Sequence, residues 1–457
     1  MKDMGNFRKF ILTAFAMGLL SVGCRHVEPV YHEDYTRHTR QGRLVHEECV
    51  ENVYLTAEQI KKVVCTGKDK DNVYLSDRVR YGVRCYKVRY WTVAMHPEQM
   101  SQQFVYADAL LMVPDHEEGE ELPYASYFHG TIPPMNSLEM IAASLPSNFK
   151  GTTTSKDMMY CALPLASAGY CVIAPDYTGY GPTAGWIHPF IYYPELYKSA
   201  LDGLTAGVAM ADSLGIRLKE TLPGKKKIWL TGWSQGGGLS MYMQRRLEMQ
   251  NGNAFTVMAN SVLAAPCNCY HMITDLFEPD PDGNRKDEFK LVLALYSWAT
   301  YCFNVFAEEL RRPFDQIFRM DIYSQIGALL VTPQKPSELY QDFFIKHIED
   351  STDVDFINAM KKNCTHEEWN PQAPLIMHHG KKDILVNYFN MEDAIKGLNL
   401  KARELKLDDH TPYAGYTELA ESEPDRSNYV PGHDNFVPKY MAHTIDCFDV
   451  WRSEKGD

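Results

Sequence analysis

The chain has 457 residues, of which 45% are hydrophobic, 12% aromatic and 23% charged. These fractions are typical of a folded globular protein and exclude a disordered, collagen-like or fibrous chain. Its 46 Lys and Arg residues against 59 Asp and Glu residues give a net charge of −13. An acidic chain without basic blocks argues against a nucleic-acid partner. The 11 cysteines are too sparse for a small disulfide scaffold, although up to five disulfides stay open.

The first 23 residues have the pattern of an export signal. A short basic head precedes an apolar run over 10–22 that is too short to span a bilayer comfortably. The run ends in Leu-Ser-Val-Gly-Cys, which resembles the lipobox of bacterial lipoproteins. The resemblance implies lipidation of Cys24, an exported protein and an anchor in the outer membrane of a bacterial cell envelope, with the leaflet open. A plain secretory signal, giving a periplasmic or secreted protein, is the alternative. Residues 24–45 are expected to be a tether.

Residues 46–457 have the pattern of one folded domain. Thr56 is placed to cap a short helix. After two strands that look antiparallel, strands and helices alternate, which predicts an α/β fold with a mostly parallel central sheet and helices on both faces. The predicted strands are 86–93, 104–113, 124–128, 170–175, 226–231, 257–265, 375–378 and about 401–407. The predicted helices are 156–168, 195–214 and 237–250.

Residues 267–370 form an insertion between two predicted strands. The insertion has helical spacing and many aromatic side chains. The run 291–307 is nearly apolar, but it is short and contains Ser297, Thr300 and Asn304, so we predict a helix buried in a cap rather than a membrane span. We expect this helical cap to wall an apolar pocket.

The string Gly232-Trp233-Ser234-Gln235-Gly236 contains the candidate nucleophile. A strand-like run precedes it and an amphipathic helix follows it. Such a strand-to-helix turn exposes a serine at the carboxyl edge of a sheet, and glycine on both sides leaves room for the neighbouring backbone. The string therefore predicts that Ser234 is a catalytic nucleophile.

A nucleophilic serine needs a base, and the base needs an acid that orients it. Asp383 follows the predicted strand 375–378, and His433 lies in a loop before a C-terminal helix. The chain order Ser234, Asp383, His433 is that of the α/β-hydrolases. Asp275 is the reserve candidate for the acid, because some hydrolases take the acid from that point of the fold.

Two other groups of residues are poor metal ligands. Cys267 and Cys269 have no partners at zinc-site spacing. His378 and His379 are consecutive residues at the end of a strand, so their side chains point to opposite faces and are poorly placed to bind the same metal ion. We therefore predict neither a metal site nor a cofactor.

The stretches 170–181, 188–190 and 232–238 together resemble the secretory-lipase-like branch of bacterial α/β-hydrolase carboxylesterases. This resemblance implies a serine nucleophile that acts on carboxylic esters, with a helical cap over the site. Because the predicted cap is rich in aromatic side chains, we expect its substrates to be esters with an apolar acyl or alcohol group. In such a fold, the loop after strand 124–128 supplies a backbone N–H to the oxyanion, here that of Thr131, and the N–H of Gln235 is the second donor. Asp176 is expected to be structural and to bond its own loop.

Alternative functions stay open at this point. A peptidase, an amidase or an acyltransferase would share the fold and the acyl-enzyme step. A surface-binding lipoprotein with an inactive site is the alternative from another class, and the complete set of Ser234, Asp383 and His433 argues against it.

Overall fold

The computed structural model describes residues 40–65, 73–96, 99, 101–133, 138–153, 155–250, 253–278, 288–319, 335–398, 415–419, 433–434 and 436–454. These residues form one ten-stranded sheet with helices on both faces, and a separate two-stranded sheet. The predicted signal peptide, almost all of the tether and the predicted strand 401–407 lie outside the described residues.

The strands are β1 Val50–Leu55, β2 Val83–Met95, β3 Gln102–Pro114, β4 Glu121–Leu122, β5 Tyr124–Phe128, β6 Cys171–Pro175, β7 Arg217–Leu218, β8 Glu220–Leu222, β9 Lys225–Trp233, β10 Phe255–Leu263, β11 Leu375–Gly380 and β12 Gly415–Leu419. At one edge of the large sheet, β1 to β3 pair antiparallel and join the rest through the antiparallel pair β3–β6. From β6 the main order runs β5, β9, β10, β11, β12, all parallel. The short strand β8 lies outside this order and pairs antiparallel with β9.

Helices fill the connections between the strands. They are α1 Ala57–Val64, α2 Val73–Ser76, α3 Leu138–Ser144, α4 Leu163–Ser167, α5 Tyr193–Ser213, α6 Gln235–Met249, α7 Cys269–Phe277, α8 Glu288–Phe306, α9 Pro336–Leu339, α10 Asp342–Glu349, α11 Val354–Asn363, α12 Phe389–Gly397 and α13 Val437–Glu454, with a π-helical turn Met158–Ala162 leading into α4. Within the described residues, no helix is long and apolar enough to cross a membrane.

The predicted strands that lie within the described residues are confirmed, with small differences at their ends, whereas β1 and β12 were not predicted. Thr56 caps α1 in a capping box: it accepts from the Gln59 N–H, and the Gln59 side chain accepts from the Thr56 N–H. The predicted strands 86–93 and 104–113 are longer than expected, because β2 and β3 pair over their full length. The predicted helix 156–168 contains the π-helical turn.

The alternation of side chains along the strands builds two cores. In β6, Cys171 and Ile173 pack on one face of the sheet, while Val172 and Ala174 pack on the other. The first face is continuous with the cap, because α8 and α11 belong to the same hydrophobic cluster as α5. The helices α7 to α11 between β10 and β11 thus form the predicted helical insertion, and they share their apolar core with the large sheet.

Asn363 joins the cap to the sheet domain at the end of α11. Its side chain is fully buried. The side-chain amide donates to the Ile191 carbonyl at 2.6 Å, and its oxygen accepts from the Tyr193 N–H at 2.6 Å. One side chain thus satisfies two buried backbone groups at the start of α5.

The ten described cysteines are all free thiols. Cys24 lies outside the described residues. Most of these thiols are buried, and burial raises the pKa of several of them, including Cys171 to about 12. The ten described cysteines therefore form no disulfide bonds with one another. For these ten residues, this finding answers the question that the cysteine count left open.

We predict that Asn363→Ala lowers the free energy of unfolding by about 2 to 4 kcal/mol, because two buried backbone groups lose their partner. Urea unfolding followed by circular dichroism measures the loss. Asn358→Ala removes an exposed asparagine from the same helix and is expected to change stability by less than about 0.5 kcal/mol. Equal effects of the two substitutions would contradict the bridging role.

Candidate active site

Ser234 lies in the sharp turn between β9 and α6. Its backbone has φ 57° and ψ −125°, a left-handed conformation that is unusual for a residue with a side chain. A hydrogen bond from the Ser234 N–H to the Leu263 carbonyl, 2.9 Å long, ties the turn to the end of β10. The turn therefore holds the serine above the carboxyl edge of the parallel strands.

Glycine on both sides permits this turn. A Cβ atom at Gly232 would overlap the backbone of Gly236, and one at Gly236 would overlap the Phe128 carbonyl at the end of β5. Both obstacles are backbone atoms, which cannot move aside as a flexible side chain can. The glycines thus allow the first turn of α6 to lie against β5.

Ser234, His433 and Asp383 form a continuous chain of hydrogen bonds. The Ser234 hydroxyl lies 3.0 Å from His433 Nε2, and His433 Nδ1 lies 2.7 Å from Asp383 Oδ2. All three are buried, with 8%, 5% and 4% of their surface exposed. The other carboxylate oxygen, Asp383 Oδ1, accepts from the backbone N–H groups of Leu385 and Val386 at 2.9 and 3.0 Å. The structure thus brings the three predicted side chains together in the order that proton transfer requires.

The pKa of His433 is raised above its usual value. Burial alone would lower it, but the charge of Asp383 and the hydrogen bond to that carboxylate raise it, and the nearby Asp434 adds to the increase. A hydrogen-bonded carboxylate therefore favours the protonated form of this imidazole ring.

Several hydrogen bonds hold the loop at 129–132, called here the oxyanion loop because the sequence predicts an oxyanion donor in it. Within the loop, His129 Nδ1 lies 2.7 Å from the Gly130 carbonyl. Asp157 Oδ1 accepts from the Gly130 N–H at 2.8 Å. The Tyr177 hydroxyl donates to the His129 carbonyl at 3.1 Å, and the Tyr180 hydroxyl donates to the Ile132 carbonyl at 2.7 Å. Within the described part of the chain, the N–H groups of Thr131 and Gln235 have no acceptor, so both are available to a ligand.

An aromatic contact connects the turn at Ser234 to the cap. His188 lies 2.7 Å from the Gln235 side-chain amide through Nε2 and 2.8 Å from the Thr178 carbonyl through Nδ1. Burial lowers the pKa of His188 to about 3, so the ring is neutral, donates through Nδ1 and accepts from Gln235. Trp298 of the cap helix α8 lies over His188 with ring centres 5.8 Å apart and stacks on Phe190 at 4.2 Å.

The remaining sequence candidates lie away from this chain of hydrogen bonds. Asp275, the reserve acid, accepts from the Asn387 side chain at 3.0 Å, whereas His433 bonds Asp383. Asp176 is structural as expected, but its partner is not its own loop: it accepts from the backbone N–H and the hydroxyl of Ser147. Burial raises the pKa of Asp176 to about 8.

The paired histidines diverge as expected. His378 Nε2 lies 2.8 Å from His443 Nδ1, while His379 Nε2 lies 2.7 Å from the Val386 carbonyl. Cys267 donates to the Asn390 carbonyl and Cys269 to that of Pro266. Within the described residues, no group of three or more His, Cys, Asp or Glu side chains is placed to hold a metal ion.

Sequence reasoning did not find the polar residues around the three central side chains. Lys156, Asp157 and Asp434 contact the loops that carry the site, and His188 contacts Gln235. Asp434 directly follows His433 in the chain, and this position could have indicated that its carboxylate lies near the site. Lys156 and Asp157 resemble any charged pair at the start of a helix, so only the fold shows what they touch.

A family model described as the alpha/beta hydrolase fold matches residues 148–412, more than half of the chain. The chain belongs to the α/β-hydrolase family. No curated protein matches the sequence.

Solved structures agree on the architecture. A Legionella pneumophila protein given provisionally as a hydrolase has a TM-score of 0.67 at 20% identity, over 90% of this chain and 99% of that one. The rice cell wall degrading esterase LipA from Xanthomonas oryzae has a TM-score of 0.62 at 18% identity, over 91% and 98%. Candida antarctica lipase A in its closed state has a TM-score of 0.52 at 12% identity, over 92% and 94%. At these identities the likeness shows the fold alone.

We predict that Gly236→Ala destabilises this α/β-hydrolase by about 1 to 3 kcal/mol, because its Cβ would overlap the Phe128 carbonyl. Gly130→Ala is the matched control, since a Cβ there would meet its neighbours at ordinary contact distances of 3.5 to 3.7 Å. Thermal unfolding of both variants measures the difference. A stable Gly236→Ala variant would show that α6 does not need to approach β5 so closely.

Proposed function

We propose that this chain is a serine hydrolase that cleaves carboxylic esters through an acyl-enzyme intermediate. The observation that carries the proposal is the buried hydrogen-bonded chain from Ser234 through His433 to Asp383, at 3.0 and 2.7 Å. Among the described residues, the backbone N–H groups of Thr131 and Gln235 have no acceptor, and we propose that they bind the oxyanion. A nucleophile, a base, an acid and oxyanion donors are the parts that acyl transfer requires.

The geometry assigns a role to each group. Ser234 Oγ attacks the ester carbonyl carbon while its proton passes to His433 Nε2. The bond from that carbon to the alcohol oxygen breaks, and His433 returns the proton to the departing alcohol. Water then attacks the acyl-serine, with His433 accepting its proton and returning it to Ser234 as the acid leaves. Asp383 keeps the proton of His433 on Nδ1, and the Thr131 and Gln235 N–H groups stabilise the oxyanion in both steps. These roles need no cofactor or metal.

The proposed substrate is an ester with an apolar acyl or alcohol group. The cap supports this choice, because its residues Trp298, Tyr296 and Phe303 belong to the same apolar cluster as Ile132 of the oxyanion loop and Leu239 of α6. Tyr296 also donates to the Leu385 carbonyl at 2.9 Å, next to the loop of Asp383. The names of two structural neighbours, an esterase and a lipase, agree with ester chemistry.

The N-terminal segment supports a second proposal, which concerns the location of the protein. We propose that export places the hydrolase in a bacterial cell envelope and that Cys24 carries a lipid that anchors it to the membrane. The support is the lipobox-like sequence alone, since these residues lie outside the described part of the chain.

We predict that Ser234→Ala loses at least about 10⁴-fold in kcat with an unchanged circular dichroism spectrum, and that His433→Ala loses a comparable amount. Asp383→Asn is expected to lose somewhat less, still by orders of magnitude, because the imidazole adopts the wrong tautomer. Hydrolysis of p-nitrophenyl esters measures all three. Wild-type labelling by a fluorophosphonate, absent in Ser234→Ala, excludes an inactive binding protein. Ester hydrolysis by a folded Ser234→Ala variant would contradict the mechanism.

Parallel assays separate the alternative reactions. Aminoacyl-anilides report a peptidase or amidase, and added alcohols that accept the acyl group report an acyltransferase. We expect anilides to be cleaved far more slowly than esters, with water as the main acceptor.

We predict that Trp298→Leu changes the ratio of kcat/KM for p-nitrophenyl octanoate and acetate by about tenfold, because Trp298 packs over the loop that contacts Gln235. Phe344→Leu is the control: this side chain is equally buried in the cap, but its ring contacts are Phe277, Tyr340 and Phe356. A wild-type ratio in Trp298→Leu would mean that the cap does not select the substrate through this residue.

A further inference from the structure

We propose that Lys156 and Asp157 are positioning residues that hold the oxyanion loop and the loop of His433 from the start of one helix. The proposal rests on the proposed function, since it assigns how the catalytic groups of that function are kept in place. The two residues are adjacent at the beginning of the helical segment that continues through the π-helical turn into α4.

Asp157 holds the oxyanion loop at its backbone. Its Oδ1 accepts from the Gly130 N–H at 2.8 Å and from the Tyr127 hydroxyl at 2.5 Å. Tyr127 is fully buried in β5, so the carboxylate ties the loop to the strand that precedes it. A charged acceptor makes such hydrogen bonds stronger than a neutral one would.

The contact at Gly130 decides which backbone donor is available to the substrate. Because the Gly130 N–H is already bonded to Asp157, it cannot serve an oxyanion. The Tyr180 hydroxyl fixes the Ile132 carbonyl on the other side. The peptide between these two points is that of Thr131, whose N–H stays without an acceptor among the described residues. Loss of the Asp157 carboxylate would leave this donor unaligned.

Lys156 holds the loop that carries the base. Its ammonium group forms an ion pair with Asp434 Oδ2, directly after His433 in the chain. The Asp434 side chain is mostly buried, with 11% of it exposed. A buried carboxylate next to the base needs a compensating cation, and Lys156 supplies it from the residue beside Asp157.

The ion pair also influences the charge of His433. Among the described residues, the titratable groups around this ring are Asp383, Asp434, Lys156 and His379, whose pKa burial lowers. Asp434 favours the protonated ring and Lys156 opposes it, so the ion pair moderates the effect of a second carboxylate. The base must be neutral to accept the proton of Ser234, so activity falls on the acid side as His433 becomes protonated.

The first test concerns the oxyanion loop. Asp157→Ala removes the acceptor, whereas Asp157→Asn keeps an oxygen that can accept from Gly130. We expect Asp157→Ala to lose about 10- to 100-fold in kcat for p-nitrophenyl butyrate with little change in KM, because a donor that is shifted by about 1 Å loses most of its value. We expect Asp157→Asn to recover most of that loss. Wild-type kcat in Asp157→Ala would overturn this half of the proposal.

The second test follows the pH dependence of kcat/KM. Lys156→Met is expected to move the acid limb to higher pH, and Asp434→Asn is expected to move it to lower pH, with the double variant between them. Lys150→Met removes the same charge from an exposed position nearby and should leave the limb unmoved. A merely structural role would lower activity without opposite shifts, so unmoved limbs in both variants would overturn the proposal.

The two tests stay informative if one variant fails to fold. Should Asp157→Ala not fold, the opposite shifts of the Lys156 and Asp434 variants still decide, and unfolding curves identify the failure. The Ser234→Ala variant separates the two levels of the argument. If it retains activity, the proposed function is wrong. If it is inactive while the Lys156, Asp157 and Asp434 variants behave as wild type, only this inference is wrong.

Discussion

The close approach of two backbone segments, α6 against the end of β5, is the constraint on which the rest of the site depends. Gly236 faces the Phe128 carbonyl without a side chain, and Gly232 faces Gly236 in the same way. This contact places the first N–H of α6, that of Gln235, beside the loop that follows β5. The two candidate oxyanion donors come from segments far apart in sequence, and the parallel pair β5–β9 brings them to one edge of the sheet.

The parts of the fold that a sequence can predict are those with a local signature. Buried parallel strands are short runs of apolar residues, as in β5 and β6, and the turn at Ser234 has two obligatory glycines. The ends of β2 and β3 could not be predicted as well, because pairing between the two strands extends both of them. The hydrogen-bonded set of Ser234, Asp383 and His433 could be predicted because the first two follow strands, His433 precedes the last helix, and their order in the chain is characteristic.

The polar residues that support these three side chains have no such signature. Asp157 contacts Gly130, 27 residues away, and Lys156 contacts Asp434, 278 residues away. A Lys-Asp pair before a helix is equally compatible with an exposed cap, so local pattern carries no information about these contacts. The local sequence also gives no indication of the contact between His188 and Gln235, because the packing of β6 and α5 on the sheet brings these two residues together. Long-range polar contacts depend on the whole topology, which periodicity does not specify.

The histidines around the site show how hydrogen-bond geometry, rather than burial, selects the base. Burial lowers the pKa of His129, His188 and His379, and it acts in the same direction on His433. His379 even lies near the same carboxylate, with Nε2 3.6 Å from Asp383 Oδ2, but that nitrogen is bonded to the Val386 carbonyl. His433 instead lies 2.7 Å from Asp383 Oδ2. The shorter distance to Asp383 and the different hydrogen-bond partner thus distinguish His379, whose pKa is lowered, from His433, whose pKa is raised as the proposed base requires.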